Sequence, residues 1–426
     1  RNRSIARPGA LRPYGASLAE SLLSLSDYRR KELQEIADIR NEGIAPTLSH
    51  ATYYWHSEHF SVQRPDWFAS VRLYSTRTHN MEEPYNEEGL LNHHRGDGVN
   101  HLTRTGDEYL DIWPVYDYQK IPGATILQKP ELPVPEAIQK LGLTDFVGAA
   151  TDGRYGTAAF DFHSPHDPLI GRKSWFFFDD EYVCLGAGIS CRNRDLPVVT
   201  TLNQCHLRGE VTIASAGKIF TPGKAEDNYE QATWVFHDST GYVFPQPAAI
   251  HLKTGPARGS WRRINKQTDS PKEEISQDVF QLWLDHGRRP SDASYEYIVV
   301  PATSLEEFRQ NSSAESISIL TNEPEVQAVY HAGLNLCQAL FYQAGAVRIT
   351  DELTLTCETP GIVLLQSLPS GATRLTVSDP NRELGAMYLS VSKKLEKTGE
   401  HFRAVWNEVK KESEIIIELP EGQYAG

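Results

Sequence analysis

The chain has 426 residues, of which 39% are hydrophobic and 23% are charged, as in ordinary globular proteins. This length exceeds the usual limit for one hydrophobic core, so two or three domains are expected. The net charge of −14 argues against a duplex nucleic-acid binder, because neutralising phosphates requires a clustered surplus of Lys and Arg. No run of about 18 apolar residues occurs, so no membrane span is predicted, and no secretory signal is visible.

The first 45 residues predict two short helices. Apolar residues recur at helical spacing, first at Leu18, Leu22 and Leu25 and then at Leu33, Ile36 and Ala37. Ser26 or Asp27 can cap the second helix, which is predicted to run to about Arg40 and to stop at Gly43 and Pro46. Two short helices cannot bury their apolar faces adequately on each other. We therefore interpret them as the last helices of a larger helical domain.

From Thr47 onward the chain consists of short β-rich runs separated by Gly, Pro, Asn and Asp. Strands are predicted within residues 67–74, 175–185, 233–244, 279–284, 295–300 and 353–357. In the last run, Leu353, Leu355 and Cys357 alternate with threonines, which is typical of a half-buried strand. The run 175–178 is apolar on both faces, so at least one sheet should lie between others. Stacked antiparallel sheets, a mainly β fold class, are expected.

The composition changes again at residues 304–314, where a polar stretch predicts a boundary. The predicted division is a helical end at 1–46, a large central β-sandwich domain at 47–303, a linker at 304–314 and a small C-terminal β domain at 315–426. No internal repeat at solenoid or propeller spacing is present, so a repeat architecture is not expected.

The sequence carries no strong metal or redox motif. The five cysteines are odd in number and form no CxxC pair. Buried free thiols are expected, and one disulfide among Cys184, Cys191 and Cys205 is the alternative. His93 and His94 are adjacent, and adjacent residues of a strand point to opposite faces, so joint metal ligation is not expected.

Two groups of polar residues can be interpreted either as solvated surface residues or as functional residues. Arg3 and Arg7 are four residues apart, so they lie on one face if the segment is helical, but a solvated pair is the default. An acidic, turn-rich stretch is by default a solvated loop; it contains Asn80, Glu82, Glu83, Asn86, Glu87 and Glu88. No nucleophile-elbow, zinc-protease, P-loop or dinucleotide motif is present, so the residues alone indicate a β-rich protein of unassigned function.

The segment from Gly106 to Thr125, GDEYLDIWPVYDYQKIPGAT, closely resembles a stretch of polysaccharide lyase family 8. This family includes chondroitin AC, chondroitin ABC, hyaluronan and xanthan lyases. Further resemblances follow in the same order at residues 86–98, 175–179, 183–189, 200–204, 282–287, 297–301 and 324–336. The resemblance covers almost the whole chain, and collinear similarity of this extent is specific.

The resemblance implies an α/α toroid, then a large multilayer antiparallel β sandwich, then a small C-terminal β domain. This order agrees with the predicted helices and strands. The catalytic Asn, His and Tyr of the family lie on the toroid, upstream of this chain. The expected partners are therefore the upstream helical domain and an acidic polysaccharide, namely chondroitin, dermatan or hyaluronan.

The resemblance also implies candidate site residues. The family has an Arg-x-x-x-Arg pair that enters the cleft, which corresponds to Arg3 and Arg7 as catalytic candidates. Its Glu-x-x-Asn pair corresponds to Glu83 as a catalytic candidate and Asn86 as a substrate-binding candidate, with Glu82 or Glu87 as alternatives to Glu83. A carboxylate at Glu83 is expected to fix a guanidinium of the arginine pair.

The implied activity is β-elimination of a uronic-acid polysaccharide of the chondroitin type, giving a 4,5-unsaturated product. Hyaluronan or xanthan lyase activity and a non-catalytic polysaccharide-binding sandwich are the alternatives. A secreted or periplasmic location is implied. No cofactor is expected to be required; a calcium ion held by Asp107, Glu108 or Asp111 is the alternative to solvated or structural roles of these carboxylates.

Overall fold

The computed structural model describes residues 6–10, 15–43, 47–133, 137–310 and 313–421. Strands dominate these residues, and their α-helices are two near the start and one short helix before the C-terminal strands. The predicted fold class, mainly β with stacked antiparallel sheets, is confirmed. Within the same residues no helix is both long and apolar enough to cross a membrane.

Both predicted helices form, α1 at Ser17–Leu25 and α2 at Arg30–Glu42. They pack on each other, and Asn41 Nδ2 of α2 donates to Glu20 Oε1 of α1 at 2.9 Å. Gly43 ends α2 as predicted, with a left-handed φ of 67° that favours glycine at this position.

The start of α2 differs from the prediction. The side chains of Ser26 and Asp27 do not cap the helix, which is preceded by Arg29 with a left-handed φ of 55°. Asp27 instead pairs with Arg30, Oδ1 to Nε at 2.7 Å, because its carboxylate is drawn to the first guanidinium of the helix. Pro46, the second predicted stop, lies outside the described residues.

The apolar face of α1 is exposed. Leu18, Leu22 and Leu25 are 59%, 44% and 81% exposed. Leaving apolar side-chain area in water is unfavourable, by a free energy of about 25 cal/mol for each Å². The exposure agrees with helices that pack against further structure, while the toroid itself stays a prediction.

The central part of the chain forms two antiparallel sheets. The first has the order β1-β2-β3-β4, which span His50–Tyr54, His59–Gln63, Phe68–Arg72 and Val99–Thr103. Strands β5 to β16 span Thr125–Leu127, Val147–Thr151, Gly156–His163, Leu169–Phe177, Tyr182–Cys191, Pro197–His206, Thr212–Ser215, Lys218–Phe220, Glu226–His237, Thr240–Gly259, Ile275–Arg288 and Ala293–Pro301. The main path of this second, central sheet is β12-β11-β13-β14-β16-β9-β8-β7-β6; β15 pairs with β14 and β10, and β5 pairs with β10.

The C-terminal part forms two further sheets. Strands β17 to β27 span Ile317–Asn322, Val326–His331, Leu336–Phe341, Gly345–Arg348, Thr354–Cys357, Gly361–Ser367, Thr373–Ser378, Ala386–Val391, Lys397–Thr398, Phe402–Asn407 and Glu412–Glu418. One sheet has the order β17-β18-β19-β22-β23 and the other β20-β21-β24-β27-β26-β25. In β21 the predicted alternation is confirmed, since Leu355 and Cys357 are buried and Thr354 and Thr356 are half-buried.

The central sheet lies between two layers, as the apolar run at 175–178 predicts. Trp175 and Phe177 face a core shared with β1–β4, where the rings of Phe60 and Phe177 are 5.6 Å apart. Phe176 and Phe178 face a second core shared with the β17-β18-β19-β22-β23 sheet. One strand therefore contributes alternate side chains to two separate cores.

Two of the predicted β-rich runs are hairpins, each with parts of two strands. The run 175–185 contains the end of β8, a turn and the start of β9. The run 233–244 contains the end of β13 and the start of β14, joined by Asp238 and Ser239 with φ of 44° and 52°. Two consecutive left-handed residues form the tight turn whose twist suits a hairpin, and Asp tolerates this conformation. Both turns consist of polar residues that favour turns, Asp179 to Glu181 in the first and Asp238 and Ser239 in the second.

The predicted linker contains regular structure. Helix α3 spans Leu305–Gln310, and its Phe308 is buried with its ring 5.5 Å from that of Trp234. The division at 304–314 stays a prediction. All five cysteines are buried free thiols, so the alternative of a disulfide among Cys184, Cys191 and Cys205 is wrong.

Lys173 on β8 is expected to make the free energy of unfolding depend on pH. Its ammonium group is buried and donates to the carbonyls of Asp97 at 2.9 Å and Gly123 at 2.6 Å. Burial lowers its pKa from 10.5 to about 7. Between these values the unfolded chain binds the proton and the folded chain does not, so the free energy of unfolding should rise with pH. We expect a rise of up to about 1.4 kcal/mol per pH unit from pH 7 to about 8.5.

Urea unfolding at several pH values measures this rise in the wild type and in Lys173→Met. The variant should lose the slope in that pH range, whatever its absolute stability, because methionine does not titrate. An equal slope in both proteins would contradict the assignment to Lys173.

Candidate active site

Arg7 and Glu88 form an ion pair between a turn near the start of the described chain and the acidic loop before β4. Arg7 Nε donates to Glu88 Oε1. The Glu88 side chain is 1% exposed, whereas that of Arg7 is 55% exposed. The hydrogen bond from Arg7 to Glu88 and the negative charge of Glu88 raise the pKa of Arg7. The pair therefore presents a fixed, permanently charged guanidinium at the surface.

Two amide side chains close a ring around the pair, and we call Arg7, Asn86, Glu88 and Gln267 the arginine ring. Asn86 Nδ2 donates to Glu88 Oε2 at 2.9 Å. Gln267 Nε2 donates to the Asn86 carbonyl at 3.1 Å, and its Oε1 accepts from Arg7 Nη2 at 3.4 Å. Each member of the ring thus contacts two others.

The ring forms because two loops of the sandwich are joined by their backbones. Glu88 and Asn265 form an isolated β-bridge, and Lys266 N donates to the Glu87 carbonyl at 3.0 Å. Asn265 Nδ2 lies 3.3 Å from Glu88 Oε1 and 3.2 Å from the carbonyl of Ala6. Asn265 therefore holds the acidic loop and the Arg7 turn together.

The structure places Glu83 away from the guanidinium of Arg7. Its Oε2 accepts a hydrogen bond from Gln139 N at 2.9 Å, which ties the acidic loop to a neighbouring loop. The contact with a guanidinium that is predicted for Glu83 is made to Arg7 by Glu88, because Glu88 precedes a buried Gly-Leu pair and turns inward. The alternatives Glu82 and Glu87 are exposed. A catalytic role of Glu83 stays a prediction.

The structure brings together two of the four predicted site residues. Arg7 and Asn86 are both members of the arginine ring. Glu83 lies on the same loop as Asn86 but faces another partner. Arg3 lies outside the described residues, so its predicted role stays a prediction. Glu88, Asn265 and Gln267 were missed by the sequence prediction.

The histidine pair lies in a series of turns, so the strand argument that separates the two rings is wrong. The ring centroids of His93 and His94 are 6.4 Å apart, and that of His166 lies 5.7 and 6.1 Å from them. His94 Nδ1 lies 2.8 Å from Asp97 Oδ2. Burial lowers the pKa of His93 to about 4. Across the described ranges, no three His, Cys, Asp or Glu side chains are grouped as a metal site.

The three carboxylates considered for calcium are engaged separately. Asp107 pairs with Arg208, Oδ2 to Nη2 at 2.8 Å, and the hydrogen bond from Arg208 lowers the pKa of Asp107 to about 2. Glu108 accepts hydrogen bonds from three consecutive backbone N–H groups. Asp111 accepts from Gly9 N at 2.7 Å, which adds a tie to the Arg7 turn. Each carboxylate therefore has protein partners of its own, and the calcium alternative stays a prediction.

The arginine ring suits recognition of an anion. A guanidinium has five N–H donors in a planar fork. In Arg7, Nε donates to Glu88 and Nη2 makes one long contact with Gln267. The remaining donors lie on an exposed side chain. A carboxylate or sulfate matches this geometry through paired, charge-assisted hydrogen bonds.

Comparison with known proteins gives the family. The chain matches the polysaccharide lyase family 8 super-sandwich domain over residues 49–312 and the C-terminal beta-sandwich domain of the same family over residues 318–387. The first match alone covers more than half of the chain. The chain therefore belongs to polysaccharide lyase family 8.

The chain is similar in sequence to a chondroitinase and to a hyaluronate lyase. It is 35% identical over 378 residues to chondroitinase-AC of Pedobacter heparinus, a match that covers 88% of this chain and 50% of that protein. It is 32% identical over 331 residues to hyaluronate lyase of Thermasporomyces composti, covering 75% of this chain and 41% of that protein. The chain thus spans about half the length of the curated relatives it matches.

A solved structure supports the same relationship. A chondroitinase AC lyase studied as enzyme–oligosaccharide complexes superposes with a TM-score of 0.86 and 30% identity. The superposition covers 100% of this chain and 60% of that one. The fold described above is therefore similar to that of this lyase over the whole chain.

Proposed function

We propose that the protein is a glycosaminoglycan lyase that cleaves chondroitin-type polysaccharide by β-elimination and leaves a 4,5-unsaturated uronate. The observation that carries the proposal is the arginine ring, in which a buried carboxylate holds Arg7 with its free N–H groups toward solvent. The similarity to a named chondroitinase-AC over 88% of the chain supports this substrate class. The net charge of −14 makes a local cationic anchor necessary for a polyanionic substrate.

The reaction begins at a carbon acid that is hard to deprotonate. The C5 proton of a uronate lies next to a carboxylate that is already negative, so a donor must neutralise that carboxylate as charge develops. A base then removes the proton and an acid returns one to the leaving oxygen. The family resemblance assigns these steps to an Asn, a His and a Tyr of the upstream helical domain.

Arg3 and Arg7 supply the cationic side of the proposed cleft. The proposed role of Arg3 is to hydrogen-bond the bridging oxygen and the tyrosine hydroxyl, which favours the tyrosinate form. The proposed role of Arg7 is to hold the polymer through its anionic groups. The proposed role of Asn86 is a substrate contact beside Arg7, and its Nδ2 already donates to Glu88.

Hyaluronan is the second candidate substrate. The chain is 32% identical to a hyaluronate lyase, and hyaluronan carries the same uronate carboxylate without sulfate. The chemistry at C5 is unchanged between the two polymers, so the preference depends on contacts with the neighbouring sugar.

Digestion of chondroitin, dermatan, hyaluronan and xanthan by the full-length protein tests the proposal. We expect ultraviolet-absorbing unsaturated product from chondroitin at the highest kcat/KM. The 426-residue chain by itself should bind the polymer without forming unsaturated product. Binding without product by the full-length protein would favour a non-catalytic polysaccharide-binding sandwich, and product from xanthan alone would overturn the substrate class.

No cofactor enters the proposed chemistry, because side chains supply every proton transfer and every charge contact. Assays with a calcium chelator and with added calcium test this point, and unchanged kcat is the expected result. We also propose a secreted or periplasmic location, since a long polyanion reaches the enzyme outside the cytoplasm. Activity recovered only from the cytoplasmic fraction would contradict it.

A further inference from the structure

We infer that Glu88 is the positioning residue for Arg7 and sets how strongly the protein holds its polyanionic substrate. This inference rests on the proposed function and deepens it. It gives Glu88, and not Glu83, the role of orienting Arg7. Asn86 and Asn265 act with Glu88 because they hold its two oxygens.

The carboxylate of Glu88 is bound from three separate segments. Its Oε1 accepts from Arg7 Nε and from Asn265 Nδ2, and its Oε2 accepts from Asn86 Nδ2 at 2.9 Å. A carboxylate that is 1% exposed is unfavourable unless it is paired and hydrogen-bonded. The sandwich therefore holds the Glu88 carboxylate in a fixed position, and Arg7 is the cation that pairs with it.

Arg7 depends on the Glu88 carboxylate for its orientation. Its side chain is 55% exposed, and among the described residues its one other side-chain hydrogen bond is the 3.4 Å contact with Gln267. An arginine without a fixed partner samples many rotamers, and substrate must then order it on binding. The Nε contact also decides which edge of the guanidinium faces outward. Glu88 thus acts through Arg7 and does not need to touch the substrate.

A double-mutant cycle in the full-length protein tests the inference. Glu88→Gln should raise KM about 3- to 10-fold with kcat nearly unchanged, because ordering a loose arginine weakens ground and transition states equally. Arg7→Ala should raise KM at least as much. In the Arg7→Ala background, Glu88→Gln should add little, because the group it orients is gone. Equal effects of Glu88→Gln with and without Arg7 would overturn the inference.

A second measurement is independent of turnover. In the wild type, the Arg7 Nε–H proton should exchange slowly with water and give a resolved NMR signal, because it lies in a partly buried hydrogen bond to a charged carboxylate. In Glu88→Gln the signal should shift and exchange faster. An unchanged signal would overturn the inference even if activity fell.

Asp152→Asn is the matched control. Asp152 is 6% exposed at its side chain and pairs with Arg374, which is 48% exposed, Oδ2 to Nη1 at 3.0 Å. This pair resembles the Arg7–Glu88 pair in burial but joins the central sheet to the C-terminal part of the chain. The control should lower thermal stability without changing KM. A wild type that yields no unsaturated product from any uronan would refute the proposed function, whereas an additive cycle in an active enzyme would refute the role of Glu88.

Discussion

Replacing Arg3 with alanine in the full-length protein is expected to lower kcat for formation of unsaturated product by about 100- to 1000-fold, with the fold intact. The role proposed for this arginine is to hydrogen-bond the bridging oxygen and the tyrosine hydroxyl. Its charge is therefore needed most when negative charge develops on the leaving oxygen, and its loss should fall on kcat rather than on KM. Ultraviolet absorbance of the unsaturated uronate measures the rate directly.

The comparison variants separate this role from general electrostatics. Arg3→Lys keeps the charge but loses the planar fork, so it should recover only part of kcat. Arg192→Ala removes an exposed arginine that directly follows β9 and should leave kcat unchanged. Circular dichroism and thermal unfolding of each variant control for the fold. Turnover close to wild type in Arg3→Ala would exclude the proposed role.

The fold was predictable wherever the pattern of apolar residues reports burial directly. The alternation at Leu355 and Cys357 and the continuous apolar run at 175–178 each correspond to the predicted burial. The hairpin turn at Asp238 and Ser239 does carry a signal in the sequence, because Asp and Ser favour turns, and both residues adopt a left-handed φ. The side-chain cap expected at Ser26 or Asp27 failed because a nearby guanidinium competed for the Asp27 carboxylate.

The candidate site was predictable only in part, because its members are distant in sequence. Arg7 and Gln267 are 260 residues apart, and nothing in the spacing links them. Glu88 did carry a signal, since only Gly89 separates it from the apolar residues Leu90 and Leu91 and a buried carboxylate requires a cation. The family resemblance led instead to Glu83, whose backbone contacts become visible only once the two loops are placed together.

The two phenylalanines of β8 should have equally large but different effects on stability. Phe176 and Phe177 are both 0% exposed and face opposite cores. Removal of a buried phenylalanine ring typically costs about 3–5 kcal/mol, so each alanine variant should lower the free energy of unfolding by this amount. Chemical denaturation measures it, and Phe220→Ala, at a residue that is 37% exposed on β12, should change it by less than about 0.5 kcal/mol.

The location of the damage should distinguish the two variants. Phe177 packs toward β1–β4, where its ring lies 5.6 Å from that of Phe60, so Phe177→Ala should weaken the sandwich that carries the arginine ring. Phe176 shares its core with Val329, Leu340 and Leu364 of the C-terminal part, so Phe176→Ala should loosen the contact between the two parts of the chain. Hydrogen exchange should then show faster opening of β18, β19 and β22 in Phe176→Ala, while the loop around Glu88 keeps its protection. The reverse pattern would contradict the assignment of the two cores, because each ring contacts only its own side of the sheet.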